Sequence, residues 1–289
     1  MAEPTVVTDT MLSERWPLDP PEQEATKDER GRVLVVGGAR STPGAVLLAG
    51  LAALRVGAGK LTIATCAEYA ATLGVAVPEA GVFALPTTAG GGIDPSAAGQ
   101  VAELAANADA VLFGPGMTEP DNTRALIDGV VKSVDAAPTI VLDAMAATCG
   151  VLDNTAPGWV ITPNVSEAEY LLDDADGEDF EIARRIADRY GVTTVLGDAV
   201  VTPEGQGFVV PKGNPGLGTS GSGDVLAGAV VGIAARRGDG LTAGVWGRAL
   251  HGEAGDRLAA RVGRVGFLAR ELLDELPGCL RDLTADRGM

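Results

Sequence analysis

RVLVVGGARSTPGAVLLAGLAALRVGAGKLTIAT, residues 32–65, decides the fold. RVLVV is a short apolar run of the kind a sheet buries on both faces, and Gly37-Gly38 ends it. GAVLLAGLAALRVGAG (44–59) carries helix-forming Ala and Leu on nearly every face and closes on glycine. KLTIAT (60–65) then returns to strand composition. A strand, a helix and a second strand in that order form a crossover, which joins parallel strands. Further strands are expected at GVFALP (81–86), DAVLFG (109–114), TIVLDA (139–144), GWVIT (158–162) and TTVLG (193–197). Helical stretches fall at residues 96–106, 122–134, 166–172 and 179–190. The alternation predicts an α/β fold with a doubly wound, mostly parallel sheet.

Beyond Gly197 the pattern changes. AVVTP (199–203) and GFVVP (207–211) flank EGQ and predict a hairpin at the sheet edge. Helices are expected over 223–236, 239–262 and 267–276. No linker or repeat interrupts the chain, so residues 31–289 are read as a single domain. Residues 1–30, rich in Pro, Glu, Asp and Thr, are read as a tail or surface arm. Within it, MLSERWPL (11–18) has enough apolar content to dock on a neighbour.

Composition narrows the function. The 289 residues carry 22 Lys+Arg against 39 Asp+Glu, a formal charge of −17. Nucleic acid and anionic membrane both reward a basic face, so neither is expected as a partner. Phosphate ligands stay open, because backbone N–H groups at a helix start bind anions without Lys or Arg. The three cysteines, Cys66, Cys149 and Cys279, are far apart and form no CxxC. That argues against a zinc finger or disulfide framework and fits a reducing cytoplasm. With one histidine, His251, a His-rich metal site is excluded and a Ser-His-Asp triad has a single candidate base. The acidic start lacks a signal-peptide core, and no apolar run is long enough to span a bilayer.

The strongest chemical signal is NPGLGTSGSGDVLAG, beginning at Asn214 and followed at once by a Val/Leu/Ala helix. Such a loop aims free N–H groups and the positive end of a helix dipole at one spot. Phosphate is the anion that fits. Asp224 sits inside this cup. It can cap the helix, or it can take a proton from a hydroxyl while the amides hold a phosphoryl group in transfer. The glycine run favours the second role, since a plain cap needs none. No Lys follows Gly223, so this is not a Walker A loop, and VVGGAR (35–40) is not a GxGxxG fingerprint. Gly114 and Gly116 in GPG end a central strand, where a ligand can lie against the main chain. In TPNVSEAE (162–169), Asn164 can donate and accept, while Ser166 and Glu169 have capping-box spacing. DDADGED (173–179) lacks EF-hand spacing and reads as a solvated loop. His251 reads as a structural helix residue.

RGRVLVVGGARSTPGA, LAALRVGAGKLTIAT, ADAVLFGPGM, VLDAMA, WVITPN with its following Glu, NPGLGTSGSGDVLAG, LHGEAGDRLAAR and GFLARELLDELP occur in that order. Together they resemble the ADP/ATP-dependent NAD(P)H-hydrate dehydratase family of the ribokinase-like superfamily. The resemblance runs from about Met11 to Pro277, and the NxGxxTSGSGD block is its most specific part. It implies a three-layer sandwich with helices on both faces of the sheet. It also implies a cytoplasmic repair enzyme that removes water from hydrated NADH or NADPH at the cost of a nucleotide phosphate. ADP, giving AMP and phosphate, is the implied donor and ATP the other choice.

By this resemblance Asp224 is the base, and Gly221, Ser222 and Gly223 form the anion hole. Ala45, Gly114, Gly116 and Asn164, with Asp224, face the hydrate. Gly197, Asp198, Asn214 and Gly223 face the nucleotide. Three positions depart from the family. Gly197-Asp198 stands where Lys-Gly is usual, Asn164 where bacterial members usually have His, and STPGA where many have GYxGA. A carboxylate beside a polyphosphate calls for a compensating cation, and Mg²⁺ with Asp198 as a ligand is one candidate. A homo-oligomer, by analogy a tetramer, is implied. The epimerase fused to many bacterial members does not fit in the roughly 30 residues before the first strand, so it is expected as a separate chain. The readings in competition are a small-molecule kinase of the same superfamily and a catalytically silent nucleotide-binding relative.

Overall fold

The computed structural model describes residues 3–18, 26–134, 138–155 and 158–284. Ten strands form one sheet: β1 (Thr5–Val6), β2 (Arg32–Val36), β3 (Lys60–Cys66), β4 (Ala80–Leu85), β5 (Ala110–Phe113), β6 (Thr139–Leu142), β7 (Val160–Ile161), β8 (Thr193–Leu196), β9 (Ala199–Val201) and β10 (Gly207–Val209). Their spatial order is β1-β10-β9-β8-β7-β6-β5-β2-β3-β4. From β8 to β4 every pairing is parallel, and the antiparallel pairings are β8–β9 and β9–β10. The predicted strand–helix–strand unit is β2, α2 (Ala45–Arg55) and β3, with Val33 opposite Leu61.

Helices cover both faces. One core gathers α2, α9 (Ser222–Arg237), α10 (Gly240–Arg261) and α11 (Ala269–Thr284) around Val33, Leu61, Trp246 and Phe267. The other gathers α4 (Ala98–Ala105), α5 (Pro120–Val131), α6 (Ala144–Thr148), α7 (Val165–Leu171) and α8 (Asp179–Tyr190) around Leu34, Phe113, Leu126 and Ile186. Small residues bring α9 against α2. A Cβ on Gly228 would meet the Ala49 main chain, and one on Gly232 the Ala53 main chain.

Several expectations change in the structure. The segment read as an arm builds into the sheet and core. β1 pairs with β10, α1 (Asp9–Arg15) follows, and Leu12, Trp16 and Leu18 are buried. MLSERWPL therefore docks on its own chain: Trp16 packs edge-on against Phe208, and its carbonyl accepts from Trp246 Nε1 at 2.7 Å. Residues 1–2 and 19–25 of that segment lie outside the described residues. The expected hairpin forms, but β10 is not the sheet edge, because β1 covers it. α3 (Ala67–Ala76) was not anticipated, and α11 runs on through Pro277 to Thr284. No described helix is long and apolar enough to cross a membrane.

Candidate active site

The parallel strands all point their C-terminal ends to one side, and the singled-out motifs lie there. Chain order reverses between β2 and β5, which is where open α/β sheets bind ligands. Gly38 N–H donates to the Pro115 carbonyl across this crevice at 2.8 Å, and Thr42 Oγ1 donates to the Gly116 carbonyl at 2.8 Å. A Cβ on Gly116 would come within 2.9 Å of Ala45 Cβ, so the two predicted hydrate-facing positions adjoin. Gly114 serves packing: it is buried at φ +126°, and a Cβ there would overlap the Asp143 main chain.

The glycine loop feeds α9. Gly221 is its N-cap at φ +87°, a left-handed conformation that glycine adopts without a Cβ penalty. Asp224 is the third residue of the helix and not its cap. Its side chain makes no hydrogen bond among the described residues. The capping role is therefore excluded. The Ser222 N–H already donates to the Thr219 carbonyl at 3.1 Å. The amides of Gly221, Gly223 and Asp224 have no partner among the described residues, so these make the open anion cup. The Ser222 hydroxyl is spent differently, 2.9 Å from Nε2 of buried His251 on α10. Burial, then the positive charge of Arg248, pushes the His251 pKa down to about 3, so the ring is neutral.

Three carboxyl groups converge above the strand ends. Burial raises the Asp224 pKa to about 6, and Glu167 on α7 adds repulsion. Glu167 is itself raised by burial. Asp143, at the end of β6, is pushed up to about 8 by burial, despite accepting from Thr162 Oγ1 at 2.8 Å. Asp224 and Glu167 add to its rise. Asp143 was not singled out from sequence, and Glu167 entered only as the Glu that follows WVITPN in the resemblance. The available signal was a carboxylate placed directly after a buried strand, in VLDA.

Asn164 caps α7. Its Oδ1 accepts from Glu167 N–H at 3.0 Å, and Glu167 Oε2 accepts from Asn164 N–H at 3.0 Å. The capping box is thus Asn164 with Glu167, and not Ser166 with Glu169, because the helix starts at Val165.

Asn164, Gly197, Asp198, Asn214 and Gly223 line one cleft of about 520 Å³, together with Arg248. The structure therefore brings the predicted nucleotide-facing residues together. Asn214 works structurally here: it accepts from Gly216 N–H at 2.9 Å and donates to Asp256 at 3.0 Å. Gly197-Asp198 is the two-residue turn of a β8–β9 hairpin, with Gly197 at φ +55°. Gly-X between TTVL and AVV was a readable hairpin signal. A Cβ on Gly197 would overlap the carboxylate of Asp179, which burial and nearby Asp198 raise in pKa. Lys212 Nζ is held by Asp9 at 2.9 Å and Glu253 at 3.0 Å. The 173–179 loop holds no ion-binding cluster among the described residues, and Arg185 donates to its Asp174 and Asp176 carbonyls.

A mostly parallel α/β sheet with an open amide cup, beside a carboxyl that has no hydrogen-bond partner among the described residues, makes a site suited to an anion such as phosphate. The family model described as NAD(P)H-hydrate dehydratase matches residues 33–278, and the chain belongs to that family. An ADP-dependent (S)-NAD(P)H-hydrate dehydratase of Xanthomonas campestris is 42% identical over 97% of this chain and 98% of its own length. A bifunctional NAD(P)H-hydrate repair enzyme of Moorella thermoacetica is 36% identical over 91% of this chain, which spans 52% of that enzyme. The structure of an ADP/ATP-dependent NAD(P)H-hydrate dehydratase from Bacillus subtilis, co-crystallised with ATP/Mg²⁺, superposes with TM-score 0.81 at 25% identity, covering 98% of this chain and 100% of that one.

Proposed function

We propose that this chain restores NADH and NADPH from their hydrates, using ADP, or ATP in its place, as phosphoryl donor. The carrying observation is Asp224: a half-buried carboxyl with no hydrogen-bond partner among the described residues, beside three open amides. The ring hydroxyl on C6 of the hydrate attacks the terminal phosphorus of the nucleotide, and Asp224 takes its proton. The P–O bond to the nucleotide breaks, releasing AMP from ADP. The amides of Gly221, Gly223 and Asp224 hold the phosphoryl oxygens in passage. Phosphate is a far better leaving group than hydroxide. The C6–O bond then breaks, C5 loses a proton to the departing phosphate, and the ring double bond returns.

Ala45 and Gly116 adjoin at the crevice, which supports placing the nicotinamide end there. Gly197, Asp198 and Gly223 line the cleft that suits the nucleotide. Mg²⁺ fits this rim in one form only. No cluster of three ligating side chains exists among the described residues, but Asp179 and Asp198 lie close together. Mg²⁺ is commonly held by one or two carboxylates plus substrate phosphates, and there it neutralises phosphate charge. Three unpaired buried cysteines accord with reaction in a reducing cytoplasm.

The test is near-ultraviolet absorbance on NADH hydrate with ADP, with ATP and without nucleotide. The intact dihydronicotinamide absorbs there and the hydrate does not. Recovery only with a nucleotide supports the proposal and names the donor. No recovery from a folded sample sinks it. Nucleotide affinity should depend on Mg²⁺ in the wild type and lose that dependence in Asp198→Gly; a wild type indifferent to Mg²⁺ ends the Asp198 role.

A further inference from the structure

Arg248 lies on α10 beneath the nucleotide cleft and is 7% exposed. Its Nε donates to the Gly197 carbonyl and its Nη2 to the Lys212 carbonyl. Those peptides belong to two neighbouring segments that line the cleft, the β8–β9 turn and the residues after β10, which Val210 N–H also joins at the Asp198 carbonyl, 2.8 Å away. Nη1 is buried with no partner among the described residues. No carboxylate comes within ion-pair distance of the guanidinium among those residues. Burial lowers its pKa, while Asp198, Asp256 and Asp179 support the charge from further away. A buried guanidinium without an ion-pair partner is costly. A fold that carries such a charge gains from a ligand that answers it.

The rest of the cleft cannot supply a free cation. Lys212 is neutralised by Asp9 and Glu253. His251 is neutral, and Asp179 and Asp198 are acidic. A polyphosphate entering this cleft meets two carboxylates and one positive charge that has no ion-pair partner among the described residues, that of Arg248.

We propose that Arg248 is the positioning residue of the nucleotide site: it holds the Gly197 and Lys212 peptides in place and supplies, from beneath them, the charge that attracts the polyphosphate. The proposal rests on the nucleotide-dependent reading above. It also accounts for how a cleft with Asp198 on its rim takes an anion without a surface lysine. Coulombic attraction across a buried, weakly screened path is much stronger than at the surface. Lysine, a single point donor, cannot reproduce the two-carbonyl clamp.

The experiment titrates adenosine, AMP, ADP and ATP into wild type and Arg248→Gln by calorimetry, first in EDTA and then with Mg²⁺. The wild type should bind more tightly as phosphates are added. Arg248→Gln should weaken ADP about tenfold, ATP more, and adenosine less than about twofold. In EDTA, Asp198→Asn should shift ADP affinity the opposite way, tightening it about threefold. An equal loss for all four ligands, or none, overturns the charge role, since wall geometry alone is blind to phosphate number. If Arg248→Gln does not fold, Arg248→Lys must retain the phosphate-dependent gradient; a folded Lys variant without it overturns the proposal. A wild type that binds none of the four sinks the nucleotide reading itself, whereas an intact gradient in Arg248→Gln sinks this inference alone.

Discussion

Asp224 shows how burial sets chemistry at a single residue. Its carboxyl ordinarily loses its proton near pH 4, and the site moves that to about 6. As the proposed base, Asp224 must be ionised to act, so turnover is expected to rise as pH passes through about 6 and to level off above it. The same shift has a cost to stability. The folded protein holds this proton more tightly than the unfolded chain, so stability falls as pH rises between about 4 and the folded value. Asp224→Asn should therefore stabilise the fold at pH 7 by about 1–2 kcal/mol. That gain should vanish near pH 4 in denaturant titrations. The variant should lose turnover by about a thousandfold or more, while nucleotide affinity stays within a few fold. Turnover in the variant within about tenfold of wild type would remove Asp224 as the base. His251 contributes no inflection near neutrality, because its ring is already neutral.

At the scale of elements, the site depends on how helices start and how closely they pack. α7 begins with the reciprocal bonds of Asn164 and Glu167. Removing the cap with Asn164→Ala should cost about 1 kcal/mol, read as a shift in denaturation midpoint with an unchanged slope. It should also free Glu167, which faces Asp224, and so alter the pH profile of turnover. α9 aims its amides correctly because α2 approaches it without side chains between. A Cβ on Gly228 would sit 2.7 Å from Ala49 Cα. Gly228→Ala should cost about 1–3 kcal/mol by overpacking, and lower kcat more than a surface substitution of equal cost. Gly228 lies one turn from Asp224, so a displaced helix misaims both the Asp224 carboxyl and the amide cup. Unchanged kcat at reduced stability would show that the helix absorbs the strain elsewhere.

At the scale of the molecule, residues 3–18 are part of the folding unit. β1 extends the sheet, Leu12 and Leu18 enter the core, and Trp16 covers Phe208. Asp9 reaches Lys212, which lines the cleft proposed for the nucleotide. Trp16→Ala should cost about 3–5 kcal/mol, seen in thermal or denaturant unfolding; a change below about 1 kcal/mol would mean the segment is dispensable to the core.

The alternation in residues 32–65 was enough to read a parallel α/β sheet, because buried strands and Ala/Leu helices differ in pattern within a few residues. The glycine run ending at Asp224 was enough to read an anion cup, because free amides at a helix start are a local property. Other features were not local. That Asp224 is unbonded and not a cap, that Asp143 and Glu167 share its surroundings, and that Trp16 belongs to its own core all depend on distant segments meeting. Arg248 is the clearest case. In sequence it is an arginine among apolar helix residues. Only the tertiary structure places its charge behind Gly197 and Lys212 and removes it from water. Charge strength, proton affinity and the worth of a polar contact are set by desolvation and by neighbours, and the folded chain alone supplies both.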